Sequence, residues 1–194
     1  MKNFNIYLIG VGGQGIGLLS EILLRAVDKA GYPVKGVDTH GLAQRGGIVA
    51  SQIRMGEKVH SPLIPEGEAD LLVALERHEA LRGMNMALKD GGTLVYYNAV
   101  WQPLDVRLGL SDEIREEVIQ QECRKRKITE IKVFHHNLSD ARMQNIALLR
   151  AIHQNRLIPE LTAAHYKTSM EDLMEGEMLK KNLDFFQSKI DSAA

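Results

Sequence analysis

The stretch at residues 6–26, IYLIGVGGQGIGLLSEILLRA, decides the fold. The apolar run over 5–9 is short and ends in glycine, the pattern of a buried strand. Beyond the glycines, Leu19, Ile22, Leu23, Ala26, Val27 and Ala30 return at helical spacing, and Gly31 supplies a stop. Residues 34–38 read as a second strand. A strand, a helix and a strand in so short a span form a βαβ unit, which implies a parallel sheet with right-handed crossovers.

The remaining chain keeps to this grammar with one departure. GGIVASQIRMGEKVHSPLI (46–64) alternates over 48–53, turns at Met55–Gly56 and resumes at Lys58, which is the pattern of a hairpin. Residues 69–76 then read as a buried strand, and 77–90 as a helix stopped by Gly91. A strand at 93–98, a helix at 111–127, a strand at 131–135 and a helix over 139–155 follow. From Leu157 onward the chain is charged and helical, punctuated by Pro159 and Gly176. The expected class is α/β: a Rossmann-like, mostly parallel sheet with flanking helices, a β-hairpin insertion and a helical C-terminus. We expect a single domain over 1–194, with 157–194 as a helical extension packed on the sheet edge or on a partner.

Composition narrows the function classes. The 194 residues carry 24 lysines and arginines against 25 acids, so no net field recruits nucleic acid or an acidic membrane. RKRK (124–127) follows SDEIREEVIQQE (111–122) and reads as the basic end of an acidic-to-basic helix. The single cysteine, Cys123, excludes an internal disulfide and a cysteine-ligated cluster held by this chain alone. The seven histidines show no zinc-type pairing, and a nucleophile elbow is missing. No apolar segment approaches a membrane span or a signal peptide, so a cytoplasmic protein is expected.

Two glycine constellations carry the chemistry. Gly10, Gly12 and Gly15 fit G-x-G-x-x-G, with Gly13 and Gly17 adding small positions. Such a loop lets backbone approach a ligand and offers the N–H groups of a helix N-terminus to an anion. Asp38 stands where an acid would bind a ribose hydroxyl in a dinucleotide site. Against that reading, a loop and hairpin follow Asp38 where a crossover helix belongs, and no second domain remains for a substrate. The second constellation, DTHGLAQRGGIVASQIR (38–54), holds Thr39, His40, Gln44, Arg45, Gly46 and Gly47. It should leave the sheet at the same edge as the first loop. Arg45 suits a bidentate pair with a carboxylate or phosphate. Equally, it would pin the loop through Asp38 or Glu76.

GVGGQGI (10–16), THGLAQRGG (39–47), SPLIPEGEADLLVALERHEALR (61–82) and GGTLVYYN (91–98), in this order, resemble the gamma-type subunit of 2-oxoacid:ferredoxin oxidoreductases. ARMQNIALLRAI (141–152) fits as well. The form THG-x-AQRGG is most similar to the small (beta) subunit of the indolepyruvate type. The resemblance implies an accessory subunit that is not catalytic alone. The whole complex would decarboxylate a 2-oxoacid to an acyl-CoA and pass electrons to ferredoxin. Thiamine diphosphate and iron–sulfur clusters would sit in larger catalytic subunits. The gamma-type domain would pack beside them and, in some relatives, help to cover coenzyme A. Gly10, Gly12, Gly13, Gln14, Gly15, Thr39, His40, Gln44, Arg45, Gly46 and Gly47 would then form an anion-receptive rim for a coenzyme A phosphate or a partner carboxylate. No metal site and no tightly held cofactor are expected in this chain. The isolated chain would expose partner-facing surface and form homodimers readily. RHEALRGMN (77–85) and the C-terminal helices map to no function of that family. The alternatives are a stand-alone nucleotide-binding oxidoreductase using Gly10, Gly12, Gly15 and Asp38, and a purely structural subunit.

Overall fold

The computed structural model describes residues 3–39, 47–100, 112–136, 138, 140 and 143–188. Among them the chain forms strands β1 (Phe4–Val11), β2 (Val34–Thr39), β3 (Ile48–Met55), β4 (Ala69–Ala74), β5 (Leu88–Tyr97) and β6 (Thr129–Val133). The helices are α1 (Ile16–Lys29), α2 (Arg77–Met86), α3 (Glu116–Arg126), α4 (Gln144–Gln154), α5 (Ala163–Leu173) and α6 (Gly176–Gln187).

The strands make one sheet in the order β2-β3-β1-β4-β5-β6. β1, β4, β5 and β6 pair in parallel, while β3 runs antiparallel to both β1 and β2. β3 is thus the one reversed strand, and β2 points the same way as β1 without touching it. The βαβ unit is present, but its two strands straddle an inserted third. The hairpin also differs from expectation. Gly56 turns the chain with φ 133°, yet no strand follows it, and β3 pairs backwards with β2. The alternation after Lys58 never becomes a ladder, because Arg54 and Gln52 hold that segment instead. Arg54 Nη1 donates to the Leu63 carbonyl at 2.9 Å, and Ile64 N–H to Gln52 Oε1 at 2.7 Å.

Alternation along the strands sorts two cores. Ile6, Leu8, Leu71, Val73, Val95 and Tyr97 face α1, α4, α5 and α6. Tyr7, Ile9, Leu72, Ala74, Leu94 and Tyr96 face α2 and α3. β1 and β4 are apolar on both sides, as central parallel strands must be. α1 buries Leu19, Ile22, Leu23, Ala26 and Val27 completely, each contributing about 1–3 kcal/mol of transfer free energy. Its end is a Schellman motif. Gly31 N–H donates to the Asp28 carbonyl and Tyr32 N–H to that of Val27, at 2.8 and 3.3 Å.

Several boundaries shift from their expected places. α2 ends at Met86, not at Gly91, because Leu88 already pairs with Ala69 and begins β5. α3 starts at Glu116 and stops at Lys127, which takes a left-handed φ of 55°. α4 begins at Gln144. The C-terminal helices lie on the α1 face. Tyr166, Met170 and Phe186 enter its core, and Lys29 Nζ reaches the Asp172 carboxylate at 2.8 Å. Cys123 is buried, and burial pushes its thiol up to about 11, which keeps it unreactive. Among the described residues, no helix is long and apolar enough to cross a membrane.

Candidate functional site

α1 follows β1 on one face of the sheet, and α2 follows β4 on the other. β1 and β4 are neighbours, so the chain diverges between their C-terminal ends. Such a switch point opens the crevice where α/β sheets hold ligands.

The first glycine loop lines this crevice. Gly10 lies so tightly that an added Cβ would stand 2.7 Å from Gln14 Oε1 and 3.0 Å from Leu75 Cβ. Gln14 folds back into the loop with only 1% of its surface exposed. Its Oε1 accepts from Val11 N–H at 2.8 Å, while its own N–H donates to the Val11 carbonyl at 3.1 Å. Gln14 Nε2 is buried and meets no acceptor among the described residues. Gly15 is the N-cap of α1, at φ 81°. A Cβ there would lie 2.6 Å from Asn145 Nδ2.

The second loop reaches the first through Gly47. Gly12 N–H donates to the Gly47 carbonyl at 2.9 Å. This corrects one expectation: the Gly12 and Gln14 amides are spent within the protein and do not face outward. Among the described residues, the Gly13 amide and the first-turn amides of α1, which helix geometry leaves without intrahelical partners, meet no backbone or side-chain acceptor. Gly13 and Gly17 are exposed, and a Cβ on either would meet nothing within 4 Å. That open rim suits an anion. Thr39 ends β2, in register with Ala50 of β3. His40, Gln44, Arg45 and Gly46 lie outside the described residues.

Asp38 is not placed for a ribose. Its Oδ1 accepts from Ser20 Oγ of α1 at 3.2 Å. With β3 between β1 and β2, Asp38 stands two strand spacings from the glycine loop, about 9–10 Å. A dinucleotide fold keeps those strands adjacent.

β4 contributes a polar cluster. Glu76 is fully buried and caps α2, with Oε1 accepting from Glu79 N–H at 2.6 Å. Its Oε2 lies 3.1 Å from His78 Nδ1. Ile114 N–H donates to His78 Nε2, and Arg77 Nη1 donates to the Ile114 carbonyl, both at 3.2 Å. An acceptor Nε2 fixes the His78 tautomer, with the proton on Nδ1 facing Glu76. The cluster therefore fastens residues 112–115 over the sheet edge. Burial, opposed by Arg82 and reinforced by Glu76, pushes Glu79 up to about 7.

The sequence missed Asn145. It is buried at the start of α4, and its Nδ2 donates to the Gly15 carbonyl at 3.4 Å. Its signal was the polar pair Gln144–Asn145 at the head of an apolar helix. Among the described residues, no group of three or more His, Cys, Asp or Glu side chains is placed to hold a metal.

The model of the pyruvate ferredoxin/flavodoxin oxidoreductase family matches residues 5–191. The indolepyruvate oxidoreductase subunit IorB of Pyrococcus horikoshii is 33% identical over 199 residues, covering 100% of this chain and 97% of that protein. Its namesake in Archaeoglobus fulgidus is 50% identical over 94 residues, 48% of this chain and 45% of that protein. Among solved structures, the gamma subunit of a keto/oxoacid ferredoxin oxidoreductase from Geobacter sulfurreducens superposes with a TM-score of 0.65 at 18% identity, covering 95% of this chain and 94% of that one. A 2-oxoglutarate:ferredoxin oxidoreductase from Magnetococcus marinus gives 0.68 at 21% identity, covering 96% of this chain and 30% of that one. These structures share the fold. The family match over nearly the whole chain, together with 33% identity across almost the full length of both this chain and a relative, makes this polypeptide a member of the pyruvate ferredoxin/flavodoxin oxidoreductase family.

Proposed function

We propose that this chain is the accessory subunit of an arylpyruvate-type complex, in which larger subunits carry thiamine diphosphate and the iron–sulfur clusters. The complex would convert a 2-oxoacid to an acyl-CoA and pass the electrons to ferredoxin. The indolepyruvate assignment follows the names of the curated relatives. Holding a cluster would need a set of cysteines, and this chain has one, which is buried.

The observation that carries the subunit's own role is the Gly12–Gly47 bond, which joins both glycine loops at the switch point. The joined rim presents Gly13, Gly15 and the first turn of α1 to an anion, and Arg45, in the THGLAQRGG segment that leads to Gly47, is the cation proposed to complete it. Gly10 and Gln14 shape it from beneath, and Thr39, His40, Gln44 and Gly46 are proposed to extend it on their place in the sequence alone. The anion this rim fits is a phosphate of coenzyme A bound by the assembled complex. Coenzyme A supplies the thiol that accepts the acyl group; this chain's part is to hold its phosphate end and keep water from the cleft.

The test is reconstitution. The larger subunit is purified with and without this chain, and with Arg45→Ala. The wild-type chain should co-purify and raise 2-oxoacid-dependent electron transfer, while Arg45→Ala should weaken apparent coenzyme A affinity about tenfold without loss of assembly. Unchanged coenzyme A affinity removes the anion role. Turnover by the lone chain with a nicotinamide cofactor would favour the nucleotide-binding alternative.

A further inference from the structure

We propose that the outer edge of β6 is a self-complementary docking strand for a second copy of this chain. β6 ends the sheet, and among the described residues only β5 pairs with it. Asn98 N–H donates to the Val133 carbonyl at 2.7 Å, so Val133 points its backbone groups toward β5. Backbone direction alternates along a strand. Thr129 and Ile131 therefore also face β5, and Glu130 and Lys132 turn their N–H and C=O groups outward. No other described backbone group bonds to these outward groups.

Open edges invite pairing, and charge decides the register. Antiparallel pairing of two such edges must set outward residues opposite outward residues. One such register, centred on Ile131, sets Glu130 opposite Lys132 of the partner subunit, twice by symmetry. Both are hydrogen-bonded pairs, so four backbone bonds form. The neighbouring registers place Glu130 on its own copy or Lys132 on its own copy, which like charges disfavour. The pair is not pre-empted. Glu130 Oε1 accepts from Tyr96 OH at 2.9 Å, leaving Oε2 available, and Lys132 pairs with Glu116 while 45% of its side chain stays exposed. The interface would link Tyr96, Glu130, the partner's Lys132 and the partner's Glu116 in one network.

The two-fold axis also brings α3 beside its copy in antiparallel fashion, on the same face. α3 starts with Glu116 and Glu117 and ends with Arg124, Lys125 and Arg126. Its acidic end then meets the basic end of the other copy. Phe134, 46% exposed directly after β6, adds apolar surface at this edge.

The test uses the full chain, charge reversals and sedimentation equilibrium, with folding of each variant checked by circular dichroism. Wild type should be in monomer–dimer equilibrium, weakened by high salt. Glu130→Lys and Lys132→Glu should each raise the dimer dissociation constant at least about tenfold, because each sets like charges opposite one another. An equimolar mixture of the two variants should recover dimers, since one copy then carries lysine and the other glutamate at both positions, and opposite charges meet in both pairs. Ile131→Cys, whose α-carbons would meet about 4.5 Å apart across the axis, should oxidise to a covalent dimer. A monomeric wild type at submillimolar concentration, dimers indifferent to both reversals, or no recovery in the mixture would each overturn the proposal.

Discussion

Gly12 donates its amide hydrogen to the carbonyl of Gly47 at 2.9 Å, and this bond binds two loops separated by an entire helix and strand. Its neighbour Gly13 lies exposed with open space above it. Native-state hydrogen exchange should therefore separate the loop residue by residue. The Gly12 and Gln14 amides should exchange at least about tenfold more slowly than that of Gly13. Equal rates at all three positions would mean that the loops are not joined in solution.

Gly15 meets two constraints at once, a φ of 81° and the Asn145 side chain. Gly15→Ala should cost about 1–3 kcal/mol. Asn145→Ala removes the collision but not the backbone strain. In a double-mutant cycle by urea unfolding, the second substitution should recover part of the loss. Strict additivity would show that Asn145 does not press on this position.

Glu79 gives a pH dependence with a definite sign. Its native pKa, near 7, lies above the ordinary 4.5. Native protein therefore holds a proton that unfolded protein has released between those values. Stability from this group is full below about pH 4.5 and falls as pH rises toward 7, by at most about 3 kcal/mol. Glu79→Gln should abolish that slope and be more stable than wild type at pH 8. Parallel unfolding curves against pH for the two proteins would contradict the assignment.

His78 and Arg77 hold both backbone groups of Ile114. His78→Ala should free residues 112–115, exposing the bond after Arg115 to trypsin. Cleavage there should accelerate severalfold, while the denaturation midpoint falls by only about 1–2 kcal/mol equivalent. Unaltered cleavage kinetics would show that the anchor lies elsewhere.

Much of this architecture was readable before any coordinate. The short apolar run of β1 ended by glycine, the alternation over 48–53 and the helical spacing of Leu19, Ile22, Leu23 and Ala26 are local signals, and the structure confirms them. Helix ends were read less well. Residues 88–90 read as the tail of α2 before a stop at Gly91, yet pairing with β4 drew them into β5. Propensity there was weak, so the neighbouring strand decided.

The candidate site divides in the same way. GVGGQGI declared a tight turn before a helix, since only glycine tolerates the φ of Gly15 and the close contact at Gly10. The spending of Gly12 and Gln14 amides inside the loop left no trace in the sequence. Neither did the meeting of Asn145 with Gly15, which are 130 positions apart.

By itself, the sequence determined the βαβ core and most other strands and helices, which faces are apolar, and where glycine must replace larger residues. These follow from backbone sterics and periodic burial within a few residues. Only the tertiary structure decided that β3 enters reversed between β1 and β2, moving Asp38 away from the glycine loop and bringing Gly47 onto Gly12. Strand order is a choice among long-range pairings of similar local energy, and it is settled when the whole sheet and both its cores close together.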